Sequence, residues 1–236
     1  MPEVRRPGCV WNDAHVWLEN AEHENERHPF HAILSRDNPR GLPRVMRPDD
    51  ILDGTPEAWR APGSIVVERS AASMADSVAS MLRSAKRILL VDPHIRPSRP
   101  RYRNSLHEFF GLVGIGMPCV TLELHAGNVA AYAPDWDNFR RECKRHLPCL
   151  VPAHLNLIVR RWTNRDGGER LHNRYILTDI GGVQFGVGLD EGDPGATDDV
   201  TRLDTDAYDR RMEDYAVAAP AFKLEGELLI RGCRGL

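Results

Sequence analysis

Cysteine is sparse and unpaired in this chain. Its five residues, Cys9, Cys119, Cys143, Cys149 and Cys233, are scattered and form no Cys-x-x-Cys unit. That argues against a zinc site and against a disulfide framework. Long apolar runs are missing too: nothing approaches the roughly 20 residues of a membrane-spanning helix, so no membrane span is expected. The opening stretch MPEVRRPGCVWND lacks the apolar centre of a secretory signal, and cytoplasmic residence is the default expectation. Neither sign of charge dominates. Lys plus Arg total 31 against 34 for Asp plus Glu, a formal net charge of -3. The whole-chain signature of a nucleic-acid binder is therefore absent. A local basic groove stays compatible, because the segments VRRPGCV and RPSRPRYRN are basic while the stretch from Asp190 to Asp214 is strongly acidic.

What is present falls into two parts. Residues 1–63 read as an irregular N-terminal arm, rich in proline, with room for one short helix in VWNDAHVWLENAEHENER and an extended loop in SRDNPRGLPRVMRPDD. Trp11, Trp17 and Trp59 lie in this polar segment, so the arm is expected to dock, either on its own chain or on a larger protein complex. Residues 64–236 alternate between strand and helix patterns. SIVVE reads as a strand. Met74, Val78, Met81 and Ala85 form a helical stripe. RILLVDPHI reads as a buried strand. A helix is expected from Ser105, which stands at capping-box spacing from Glu108. CVTLELHAG, LNLIVRRW, HNRYILTD and VQFGVGL read as further strands, with a helix over DWDNFRRECKRHL and a turn at Gly181 and Gly182. The order predicts an α/β fold, a mixed β-sheet flanked by helices. The acidic stretch after Leu189 reads as a surface excursion, and FKLEGELLIRGC as a possible last strand.

The chemistry concentrates in RLHNRYILTDIGGVQFGVGLDEG. Residues two apart on a strand share a face, which sets His172 beside Arg174. By the same rule Asp179 falls on the other face unless a bulge brings it back. An imidazole beside a guanidinium suits phosphoryl transfer without metal. The neutral ring can attack phosphorus, and the planar cation binds two phosphate oxygens.

The spacing His172-x-Arg174-x4-Asp179, followed after six residues by Gly186, resembles the signature of the phospholipase D superfamily. That signature reads His-x-Lys-x4-Asp-x6-Gly-Ser-x-Asn. The order of elements over residues 64–192 is also similar to one repeat of that family. Arg174 stands where the family has lysine, and GVGLD, from Gly186 to Asp190, replaces Gly-Ser-x-Asn. In both respects the chain resembles the divergent phospholipase D-like domain at the C-terminus of MIT-domain proteins. The resemblance implies a phosphodiesterase, more readily a nuclease than a lipase. His172 would be the nucleophile, Arg174 the phosphate clamp and Asp179 an orienting carboxylate. Gly186 and Gly188 would let backbone approach the phosphate. The MIT-type branch implies the alternative, a non-catalytic phosphate-binding or assembly subunit, for example of a larger bacterial complex for nucleic-acid conflict. A chain with one motif is similar to members that complete their site by homodimerisation, which would supply the second histidine as acid.

Other residues are candidates for the same site. Asp92 and His94 follow a strand end, where ligands of α/β sheets collect. His94 begins a second His-x-Arg with no Asp after it, and reads equally as a loop residue. His125 is a further candidate acid or a polar strand end. Arg161 and Trp162 lead a basic segment, VRRWTNRDGGER, that would track a nucleic-acid backbone and stack a base, or else form a solvated hairpin. The acidic run from Asp190 lacks the alternating ligands of a calcium loop, so no metal is expected, and no cofactor.

Overall fold

The structure, a computed structural model, describes residues 10–27, 30, 32–53, 62–114, 121–129, 133–216 and 221–235. The chain divides into two compact units, Met1–Pro62 and Gly63–Leu236. The first carries more regular structure than an irregular arm. Helix α1 (Trp17–Arg27) is followed by strands β1 (Ile33–Leu34) and β2 (Val45–Met46), which pair in parallel, and by the short helix α2 (Pro48–Leu52). Leu18, Ile33 and Val45 form its small core, and Arg40 pairs with Glu22. Trp17 is half exposed, and Trp59 lies outside the described residues.

The second unit is α/β, built on an eight-stranded mixed sheet. Its elements are β3 (Ser64–Glu68), α3 (Ala71–Ser77), α4 (Ala79–Ser84), β4 (Arg87–Val91), α5 (Pro100–Leu112), β5 (Thr121–Gly127), α6 (Trp136–His146), β6 (Asn156–Thr163), β7 (Arg174–Thr178), β8 (Gly181–Phe185), β9 (Thr197–Arg202), α7 (Thr205–Asp214) and β10 (Lys223–Arg231). The strand order is β10-β6-β5-β4-β7-β8-β9-β3. β4 lies at the centre, parallel to β5 and antiparallel to β7. Strands of this kind, buried on both faces, need continuous apolar sequence, which RILLV supplies.

Alternate residues of the central strands feed two cores. Ile88, Leu90 and Ile176 join the larger one, with Leu106, Phe109 and Phe110 of α5. Leu89, Val91, Tyr175 and Leu177 join the smaller, with Tyr215 and Phe222. Phe109 and Phe110 are fully buried, and each burial contributes roughly 2–3 kcal/mol. Position 92, just after β4, and position 174 on β7 continue the parity of the larger core.

Several expected boundaries move. The stripe from Met74 to Ala85 is interrupted at Val78, whose φ of -118° separates α3 from α4. Helix α5 begins at Pro100, whose fixed φ and missing N–H suit a first helical position. Ser105 is therefore interior and buried, with its hydroxyl on the carbonyl of Arg101, rather than a cap. Asp179 and Ile180 make the β7–β8 turn, and Gly181 and Gly182 open β8. The acidic stretch is no mere excursion, since it contains β9 and α7. Among the described residues no helix is long and apolar enough to cross a membrane.

Candidate functional site

A cavity of about 350 Å³ opens where the carboxyl end of β4 meets the start of β7. Arg69, Arg96, Arg99, Arg101 and Arg174 line it, against the two carboxylates of Asp92 and Asp190, and His94 and Tyr102 complete the polar wall. Five guanidinium groups against two carboxylates leave a cationic basin suited to an anion.

Each wall residue has a local reason for its place. Asp92 follows β4 and is fully buried. Its Oδ1 accepts the N–H of His94 at 2.8 Å, and its Oδ2 accepts the N–H of Leu189 at 2.9 Å. Burial nevertheless pushes its pKa up to about 6, against the opposing effect of those two N–H groups and of Arg174. Arg174 opens β7, mostly buried, with its Nε 4.0 Å from Asp92 Oδ1. That Nε makes no hydrogen bond among the described residues. Arg69, just after β3, and Arg101, in the first turn of α5, both pair with Asp190, at 2.9 and 2.8 Å. Burial raises the pKa of the Tyr102 hydroxyl, which stays protonated.

The register explains the meeting of the two His-x-Arg segments. β4 and β7 pair as Leu90 with Ile176 and Val91 with Tyr175. Carried one step past the last pair, the same register sets Asp92 against Arg174, and a turn over Pro93 and His94, closed by the Ile95 N–H on the Asp92 carbonyl at 3.2 Å, then takes the chain out of the sheet. Burial, then the charges of Arg174, Arg96 and His172, lower the pKa of His94. His172 itself precedes the strand rather than lying on it, and is exposed. Arg174 and His94 thus stand in the cavity wall, and His172 is near enough for its charge to act on His94.

The loop after β8 is held by carboxylates. Asp198 of β9 is buried and accepts the N–H groups of Val187 at 3.0 Å and of Gly188 at 3.4 Å. Asp190 fixes the loop to Arg69 and Arg101, and Glu191 accepts from Asn104 at 2.6 Å. The leading part of the acidic run is thereby an internal clamp.

The expected site residues divide accordingly. Arg174, Asp92 and His94 line the cavity, whereas His172 is exposed and does not line it. Asp179 does not join them. It lies past the far end of β7, exposed, and its carboxylate accepts the N–H groups of Lys86 and Arg87 at 2.8 and 3.0 Å. Its role is to close the turn against β4. Gly186 and Gly188 do not offer their backbone to a ligand. The N–H of Gly186 points to the carbonyl of Asp199 at 3.3 Å, and that of Gly188 is taken by Asp198. Gly188 is required for close packing, because a Cβ there would lie 2.5 Å from Asp190 Oδ1.

Arg161 and Trp162 are also removed from the ligand. Both are buried within β6. Arg161 lies over the Phe139 ring at 4.8 Å and reaches Glu225 at 3.2 Å. Trp162 donates its indole N–H to His125 Nδ1 at 3.0 Å. His125 is equally enclosed. An indole can only donate, so Nδ1 carries no proton and Nε2 faces Glu123 at 3.1 Å. Burial and Arg87 lower the pKa of His125 to about 3, which keeps it neutral and structural.

Sequence reasoning missed Arg69, Arg96, Arg99, Arg101 and Asp190 as site residues. The signal for three of them was legible, since a basic cluster directly after a buried strand end marks an anion site in an α/β sheet. Arg69 and Asp190 are brought in by long-range pairing alone. A scan against family models and a search of curated proteins both find no match for the chain.

Proposed function

We propose that the chain acts on phosphodiesters as a phospholipase D-like, metal-independent phosphodiesterase, with a nucleic-acid strand as the substrate class. The observation that carries this reading is the meeting of the Arg174 guanidinium and the His94 imidazole in one arginine-lined cavity, with the charge of His172 acting on His94. Arg174 lines that cavity, and its planar cation can bind two phosphate oxygens.

In this reading the neutral His172 ring attacks phosphorus and the P–O bond to the leaving alcohol breaks. The protonated His94 ring gives its proton to the departing oxygen. Water then attacks the phosphohistidine, passes its proton to His94, and frees His172. The lowered pKa of His94 favours its neutral form in the empty site. A bound phosphate anion opposes that shift and restores the acid. Because the second histidine comes from the same chain, the reading works without a homodimer.

A second reading, phosphate binding without cleavage, is favoured by the loop after β8. Its N–H groups at Val187, Gly188 and Leu189 are spent on Asp198 and Asp92, so they do not stabilise a phosphorane. The test is incubation in EDTA with single-stranded DNA, RNA and bis(p-nitrophenyl) phosphate. Cleavage that vanishes in His172→Ala supports the enzyme. Binding without cleavage, weakened in Arg174→Ala, supports the module. Neither cleavage nor binding overturns both.

A further inference from the structure

Far from the cavity residues in sequence, two exposed thiols lie side by side. Cys149 Sγ and Cys233 Sγ are 3.8 Å apart, although 84 positions separate them. Cys149 sits in the turn after α6, and Cys233 in the segment that follows β10. The backbone fixes the approach. The Cys233 N–H donates to the Pro148 carbonyl at 2.9 Å, the Arg234 N–H to Val151 at 3.0 Å, and the Ala153 N–H to Arg234 at 3.0 Å. Gly232 donates to the Leu155 carbonyl at 3.1 Å, and a Cβ on Gly232 would collide with the Pro152 carbonyl. Arg234 extends the attachment to α5, donating to the His107 carbonyl at 2.9 Å. The segment is held on the turn by hydrogen bonds that do not involve sulfur.

We propose that Cys149 and Cys233 form a reversible disulfide under oxidation, a modification site independent of the phosphodiesterase reading. A disulfide needs its sulfurs about 2.05 Å apart, so they approach by roughly 1.8 Å, within reach of side-chain rotation where both backbones are already joined. The two thiols stand in solvent, open to a small-molecule disulfide. By contrast Cys143 is buried in the larger core, where burial pushes its thiol up to about 12 and leaves it inert.

The exchange balances with glutathione disulfide as oxidant. One protein thiol loses its proton, and its thiolate attacks a glutathione sulfur. The glutathione S–S bond breaks and one glutathione thiolate leaves. The second protein thiol, deprotonated in turn, attacks the protein sulfur of the mixed disulfide and expels the second glutathione. Two electrons pass from the protein to glutathione, and two protons go to the released thiolates. The hydrogen bond to Cys149 raises the pKa of Cys233, so the reaction quickens as pH rises.

The test treats the full chain with glutathione disulfide, folded and in urea, then maps peptides by mass without reduction. The expected result is a Cys149–Cys233 link in the folded protein, reversed by dithiothreitol. Its ratio to glutathione adducts at these two residues should be at least about tenfold higher folded than unfolded, the advantage of an intramolecular partner held in place. Separate adducts on Cys149 and Cys233, links to other chains, or equal ratios in the two states would overturn the proposal. Cys149→Ser keeps it testable, because it must convert Cys233 to a stable glutathione adduct.

Discussion

Asp92 and Arg174 face each other across the β4–β7 pairing with 4.0 Å between carboxylate oxygen and guanidinium Nε. The separation is too long for a hydrogen bond, and the carboxylate is instead occupied by the N–H groups of His94 and Leu189. Asp92 thus ties the His94 turn to the loop after β8, with the Arg174 guanidinium alongside.

Arg174→Ala should weaken binding of a phosphodiester by about 10- to 100-fold, the range for a lost hydrogen bond to a charged group. Arg174→Lys should recover only part, because the ammonium lacks the planar fork. Isothermal titration with dimethyl phosphate measures both. Equal affinity in Arg174→Ala and the wild type would remove arginine from the site.

Anion affinity should depend on the charge of Asp92. Its folded pKa of about 6 means it is ionised above that pH and opposes an anion, and neutral below. Sulfate affinity should therefore rise as pH falls through about 6. His94 gains a proton in the same direction, so Asp92→Asn should flatten the profile in part and raise affinity at pH 8. A flat profile in the wild type contradicts the arrangement.

Stability carries a separate pH signature from His125. Its pKa is lowered to about 3 in the fold, against an ordinary value of 6.5. Above 6.5 neither state binds the proton. Between 6.5 and 3 only the unfolded chain does, so folding stability from this group is lost as pH falls, by about 2 kcal/mol at pH 5. Asp92, with its raised pKa, adds stability over the same fall in pH, so the comparison is between variants: urea unfolding at pH 7 and pH 5 should show a change more favourable by about 2 kcal/mol in His125→Gln than in the wild type. An equal change in the two proteins would refute the assignment.

Asp179→Ala should cost about 1 kcal/mol of stability through the lost bonds to Lys86 and Arg87, and leave dimethyl phosphate affinity within about twofold of wild type. A collapse of binding in a protein that remains folded would return Asp179 to the site. Gly188→Ala should do the reverse of a neutral change. Its Cβ displaces Asp190 from Arg69 and Arg101, costs about 1–3 kcal/mol, and weakens anion binding with it.

How much of this was legible in the sequence varied with the physics behind each element. The central strands announced themselves because a strand buried on both faces must be apolar throughout, as RILLV is. The period of a strand predicted His172 beside Arg174, but the strand begins only at Arg174, so that period does not set the direction of His172. β9 was missed because one of its two inward residues is the carboxylate Asp198, which breaks the apolar alternation. Helix α7 has no buried residue and gave no stripe. Arg161 looked like an exposed cation because charge usually marks surface. Its burial rests on Phe139 and Glu225, partners 22 and 64 positions away that no local pattern reveals. Among the described residues, the unit at residues 10–53 has only four buried apolar side chains, Leu18, Ile33, Val45 and Met46, too few to stand out among its prolines.

The most direct measurement follows the two imidazoles themselves. Side-chain nitrogen and proton resonances of His172 and His94 are recorded while dimethyl phosphate is added to the wild type and to Arg174→Ala. Both rings should shift together in the wild type, with one saturation curve, and His94 should take up a proton as the ligand binds, while the variant shows a curve displaced to higher concentration. If neither resonance moves, or if His172 responds while His94 stays fixed, the paired-imidazole site is contradicted.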